Sequence, residues 1–323
     1  MALCVTGCGG GGGSAPLPLV VDSPPTFSYD RIDQNYDSKV WDTLAVGSIY
    51  RVSEGLLDFS LPTSSVTFEG ANYSLEIKGS TLTNDTAFTY NLDFNNFNTT
   101  TSPLYDVVTG ELAAGLVVQS QSNASIVGAF YEPAYMATKN IEYSGIAMAE
   151  IAFSNNDLDT FWIAFGDQTE AGDMPSSGTK TFEIDSWLTG HFTDESGYQR
   201  VVATGDAEVT VDFAQNTVNG SIVLKEFYDF EAFVEGGVNN SQIVGAPYIT
   251  AEFQDGELSG SQLNASIVIT DSPAGFLGSG QIVAGLFGAN ANELAGSFFG
   301  AKDEADSSGF TWDVSGAFFG ASD

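Results

Sequence analysis

Short stretches in which apolar and polar residues alternate, separated by Asn, Asp, Ser and Gly, run along the chain from about residue 26. A period of two puts successive side chains on opposite faces, so each stretch predicts a half-buried β-strand. In the first half the predicted strands are residues 66–68, 73–78, 87–94, 115–118, 125–131, 147–153 and 161–165. Residues 110–115 read equally well as a helical turn. Residues 168–179 carry no apolar period and read as a boundary loop.

Beyond that loop the alternation sharpens. Ala207, Val209, Val211 and Phe213 share one face while Glu208 and Asp212 share the other. Val218, Gly220, Ile222 and Leu224 repeat the pattern after Ala214-Gln-Asn-Thr217, which predicts a hairpin. Residues 248–253, 262–269, 280–287, 294–299 and 310–318 continue the series. With a strand from either 180–184 or 187–192, about eight strands result, enough to close a barrel filled by its own side chains. The expected fold is therefore all-β. Residues 1–27 form a leader and Gly/Pro-rich tether, 28–170 one β domain and 171–323 an eight-stranded antiparallel barrel.

Composition agrees. The 323 residues contain 36 Gly, 24 Phe and 12 Tyr, which suits a turn-rich fold with an aromatic core. Nine Lys and Arg face 42 Asp and Glu, a formal net charge of −33. Such a field repels phosphate backbones and anionic membrane surfaces, so nucleic acid is excluded as a partner. Acids on the outward face of the strands also argue against a barrel embedded in lipid.

Both cysteines, Cys4 and Cys8, lie in the first eight residues, which excludes a disulfide framework or thiol chemistry in the body. Val5-Thr-Gly-Cys8 has the form of a bacterial lipobox, and Gly9 to Gly13 follow as a flexible tether. Cys8 is thus the expected lipidation site. Seven residues precede it, fewer than a secretory signal needs, so either translation starts upstream or Cys8 is not acylated.

Gly285-Leu-Phe-Gly-Ala-Asn-Ala-Asn-Glu-Leu-Ala-Gly-Ser-Phe-Phe-Gly300 and the later Gly316-Ala-Phe-Phe-Gly320 resemble the final barrel strands of transferrin-binding protein B and related surface lipoproteins. Gly205–Phe213 and Thr217–Ile222 are similar to that family's opening barrel hairpin, and Cys8 with its glycines to its lipidated N-terminus. The resemblance covers about residues 180–320 and the leader. It implies a barrel preceded by a handle-like domain, as in single-lobe relatives. Its further implication is a non-enzymatic, lipid-anchored protein of the outer-membrane surface that captures a protein, haem, iron source or other solute, with a TonB-dependent transporter as a possible partner. A surface adhesin or coat lipoprotein is the alternative. Within the motif Gly285, Phe287, Gly288, Glu293, Leu294, Gly296, Phe298 and Phe299 read as structural: glycines make room or bend the chain, and the aromatics supply buried area.

No enzyme signature, cofactor motif or metal-ligand spacing stands out. His191 is the single histidine, expected on or beside a strand as a surface or half-buried side chain. Asp157 with Asp159 is one of several acid pairs able to supply oxygen ligands to calcium, though a solvated surface explains them equally simply. Two aromatic groups are candidate ligand contacts. Tyr131 and Tyr135 flank Pro133 on an expected exposed loop, and Phe227, Tyr228 and Phe230 follow the hairpin, as core if buried and as a patch if exposed.

Overall fold

The computed structural model describes residues 26–322 apart from 33, 35–36, 52–55, 70–71, 83–84, 95–101, 106–111, 121–123, 132, 195–196, 231, 233–242, 244–247, 273–276 and 303–310. Cys8 and its tether lie outside the described residues. Two antiparallel sheets account for nearly all of the rest.

The first sheet has ten strands: β1 (Lys39–Arg51), β2 (Leu56–Ser60), β3 (Thr63–Glu69), β4 (Asn72–Ser80), β5 (Ala87–Phe94), β6 (Ser102–Tyr105), β7 (Leu112–Ser120), β8 (Ala124–Tyr131), β9 (Ser144–Phe153) and β10 (Leu158–Gly166). Their order is β5-β4-β3-β1-β10-β9-β8-β7-β6, with β2 also paired to β1. The second sheet is a closed barrel in sequence order: β11 (Thr179–Asp194), β12 (Gly197–Asp212), β13 (Thr217–Asp229), β14 (Tyr248–Ser259), β15 (Gln262–Ser272), β16 (Leu277–Phe287), β17 (Glu293–Lys302) and β18 (Thr311–Ser322). Closure leaves this sheet without an edge.

The predicted hairpin is β12–β13. Asp212 Oδ1 accepts from the amides of Ala214 and Gln215 at 2.9 and 3.0 Å, and Asn216 takes φ 54°, so the turn is held by its own polar side chains. Strand β14 shows the predicted alternation most plainly. Ile249, Ala251, Phe253 and Leu258 point into the barrel, while Glu252, Gln254 and Glu257 face solvent.

Four predictions change. Residues 180–184 and 187–192 are one continuous strand, β11, rather than alternatives. From Leu112 the segment beginning at 110–115 is the strand β7, not a helical turn. Strands β1, β2 and β6 were not predicted; the middle of β1 is buried on both faces, and Leu44 to Ile49 carries a single polar residue, Ser48, so it does not alternate. The stretch around Pro133 is a short helix, α1 (Pro133–Thr138), instead of an exposed loop; proline in the first turn lacks only an amide that no helical carbonyl would have met.

The barrel interior is solid. Phe182, Leu188, Val209, Ile222, Leu224, Phe227, Ile267, Phe298 and Phe318 pack there at near-zero exposure. The ten-stranded sheet covers one outer face of this barrel, and the two Phe-Phe-Gly steps serve both interfaces at once. Phe298 and Phe318 fill the barrel, whereas their neighbours Phe299 and Phe319 point outward into the core beneath the first sheet. Phe59 of β2 stacks on Phe299 with ring centres 4.3 Å apart. Inside, Gly296 is the cross-strand partner of Phe318, and Gly316 of Phe298. A Cβ on Gly296 would stand 2.7 Å from the Phe318 ring and one on Gly316 2.8 Å from that of Phe298, so each ring occupies the space its partner leaves.

The seam between sheet and barrel is tied row by row along the sheet's barrel-facing side. At one end Ser144 Oγ donates to Glu293 Oε2 at 2.9 Å. Further along, Ser297 Oγ donates to the Leu44 carbonyl, Trp162 Nε1 to Thr189 Oγ1 at 3.1 Å, Ser48 meets Ser315 at 3.2 Å, and Arg200 pairs with Glu150.

Glu293, the motif's lone acid, is 2% exposed and starts β17; its carboxylate also accepts from the amides of Glu142 (2.7 Å) and Tyr143 (3.1 Å). Burial pushes its pKa up to about 7, against the lowering effect of these hydrogen bonds. A raised carboxyl pKa contributes stability that is complete below the unfolded value and lost as pH rises through the folded one. Acidification from about pH 8 to pH 5 should therefore stabilise the wild type relative to Glu293→Gln, by up to about 3 kcal/mol. Urea unfolding of both proteins across that range checks this; parallel stability profiles would refute it.

Candidate functional site

Among the described residues the barrel interior is filled by side chains, which leaves its outer surface as the face for a ligand. The seam bordered by α1 and by β11, β12 and β13 carries a recess and a groove on that surface. Odd-numbered residues of β11 face outward, since Leu188 and Phe182 face in, and Trp187 is among them. On β13 the same logic turns Phe227 into the barrel core and Tyr228 outward. Tyr228 and Phe230 pack with Val202 and Trp187 into a small aromatic cluster of their own.

The structure brings part of the predicted set together. Tyr135, delivered by α1, lines a recess of about 290 Å³ with Trp187, Thr204 and Glu226. Glu226 Oε2 accepts from the Tyr228 hydroxyl at 2.8 Å, and burial pushes the Tyr228 phenol well above its ordinary range, so it stays a donor. Phe230 receives the Arg200 guanidinium 3.9 Å from its ring centre. Phe227, at 1% exposure, is interior core and does not join the others. Tyr135, Tyr228 and Phe230 are themselves at most 5% exposed, so they shape this face from beneath. Tyr131 ends β8, and its side chain lies outside the described residues.

The recess opens into a groove of about 880 Å³ between Lys139 and the outer faces of β11, β12 and β13. Together they carry Glu183, Asp185, Asp206, Glu208 and Glu226 against Lys139 and Lys225, five carboxylates to two ammonium groups. Lys139 pairs with Asp185 at 3.0 Å and Lys225 with Asp206 at 2.7 Å. Such a surface disfavours anions and accepts groups rich in cationic and hydrogen-bond donors. Trp187, Glu226 and Lys139 were not singled out from the sequence. Which parity of β11 faces outward is settled only by barrel closure, and Lys139 reaches the barrel only because α1 lies against it.

His191, Asp157 and Asp159 have structural partners. His191, expected at or near the surface, is 6% exposed; its Nδ1 lies 2.7 Å from Asp313 Oδ2 and its ring stacks on Tyr50. The seam that covers β11 buries it. Asp159 is fully buried and held by Arg51 and the Tyr90 hydroxyl, and Asp157 faces the same guanidinium. Among the described residues no group of three or more His, Cys, Asp or Glu could hold a metal ion. No described helix is long and apolar enough to cross a membrane.

Residues 174–322 match the family model described as the C-lobe and N-lobe β-barrels of Tf-binding protein B. Solved structures similar to this chain include transferrin binding protein B from Haemophilus parasuis Hp5, at 15% identity over 82% of this chain and 54% of that one, TM-score 0.40. The isotype 1 protein from serogroup B Neisseria meningitidis matches at 13% identity over 82% and 53%, TM-score 0.36. Intact Ap-TbpB, with N and C lobes, matches at 12% over 94% and 80%, TM-score 0.39. The chain thus spans about half the length of the first two. No curated protein matches it significantly.

Proposed function

We propose that this chain, whose residues 174–322 match the family model of the β-barrels of Tf-binding protein B, is a non-enzymatic capture protein of the bacterial outer-membrane surface, anchored through a lipid on Cys8. The family match of the barrel is the observation that carries this reading. The packed barrel supports it in one respect: the scaffold is rigid and offers its outer surface rather than a lumen. Capture then falls to the acidic, aromatic-floored groove beside α1, and the captured protein or solute passes to an outer-membrane receptor of the TonB-dependent class.

The test is cross-linking on intact source cells, with mass spectrometry of whatever is joined to the chain. Recovery of a TonB-dependent transporter together with an extracellular ligand is the expected result. Recovery of only surface polymer or further copies of the chain would overturn the capture reading and leave an adhesin or coat protein. Replacing Cys8 with alanine should shed the protein into the medium; unchanged retention on the cells would reject the anchor.

A further inference from the structure

One row beyond the hydrogen bonds that tie sheet to barrel, the seam encloses an open space. Cross-strand register aligns Tyr50 of β1 with Leu158 of β10, and Leu158 with Ala152 of β9. The preceding row on the same side is Ser48, Thr160 and Glu150, whose outer members bond to Ser315 and Arg200 of the barrel. Opposite the row of Tyr50, Leu158 and Ala152 there is instead a cavity of about 440 Å³, with Phe153, Asp157 and Arg200 at its rim.

The walls are mostly aromatic and aliphatic, and the charges at the rim are already committed. Arg200 pairs with Glu150 and lies over Phe230. Asp157 faces the Arg51 guanidinium at 3.7 Å and accepts from Asn155 Nδ2 at 2.9 Å. The Tyr50 ring is fixed by stacking on His191, itself held by Asp313. An ion entering this space would compete with pairs the protein has already made. An uncharged ring would gain stacking and apolar burial against preset walls without that loss. The volume lies within the range of small-molecule sites, which concentrate at seams between packed units.

We propose that this cavity is a binding site for a free, uncharged aromatic compound of one or two rings. It is separate from the acidic groove, and it holds whether or not the chain captures a macromolecule.

The test titrates the full chain with indole, read by saturation-transfer NMR. Saturable binding with a dissociation constant of about 1 mM or tighter is expected for so small a ligand. Ala152→Phe fills the cavity from the β9 end of its wall row and should weaken binding at least tenfold. Leu158→Ala removes the apolar side chain at the middle of the wall row and should weaken it severalfold, which keeps the test decisive if the first variant fails to fold. Indole-3-acetate should bind at least tenfold less well than indole. Absence of saturable binding, equal affinity in a folded Ala152→Phe or Leu158→Ala protein, or equal affinity for the charged analogue would overturn the proposal.

Discussion

Replacing Phe318 with alanine is expected to lower the free energy of unfolding by about 3–5 kcal/mol, the range for removing a fully buried ring that its surroundings cannot collapse onto. Phe318 is 0% exposed inside the barrel and lies opposite Gly296, which has no side chain to move into the gap. Phe298, at a tilted ring-centre distance of 6.4 Å, is held by its own fit over Gly316. A void would therefore persist. Removing the neighbouring Phe319 should act elsewhere, since its ring belongs to the core under the first sheet. Urea unfolding gives the magnitude, and hydrogen exchange separates the two sites: Phe318→Ala should expose barrel amides, Phe319→Ala those of β9 and β10 first. A loss below about 1 kcal/mol for Phe318→Ala would mean that the interior repacks and is not the jigsaw described here.

The second large effect concerns an ion pair. Asp159, 0% exposed, is gripped by two nitrogens of Arg51 and by the Tyr90 hydroxyl, whose pKa is raised by burial and by the adjacent carboxylate. Arg51→Met removes the cation and strands a buried carboxylate, which costs about 3–5 kcal/mol in comparable sites. Asp159→Asn keeps a polar partner for Tyr90 and leaves the Arg51 guanidinium, 26% exposed, still facing Asp157, so it should cost clearly less. The double variant Arg51→Met, Asp159→Leu should recover much of the loss, because an apolar pair needs no desolvated charge. Equal losses from Arg51→Met and Asp159→Asn would show that Asp159 is not held as a buried anion. The pair also accounts for two acids that the sequence left open as calcium ligands: the cation they meet is supplied by β1, more than a hundred residues away.

Legibility followed burial. Strands with one wet face, such as β14 and the hairpin of β12 and β13, were readable because alternation marks a single buried side. Strand β1 was not, because a sheet on one side and a barrel on the other remove the polar half of the pattern. Strands β9, β10, β17 and β18 were predicted from alternation, but they are covered on both faces, so the pattern did not say which face meets the barrel core and which the seam. Glu293 shows the same limit at a single residue: beside a turn in sequence, it is a buried acceptor for the chain entering β9, 150 residues away.

Local period, turn chemistry and the spacing of glycine against aromatic residues were enough to reach the all-β class, the eight-stranded closure and the barrel motif. Only the tertiary structure decided which aromatics face the barrel interior and which the seam, because shifting a strand's parity by one residue exchanges its faces without changing its composition. It also decided that Tyr135, Trp187, Tyr228 and Phe230 underlie one surface, and that Tyr50, Leu158 and Ala152 form one wall. Those neighbours are set by register between distant strands, and register is a property of the packed sheets rather than of any segment alone.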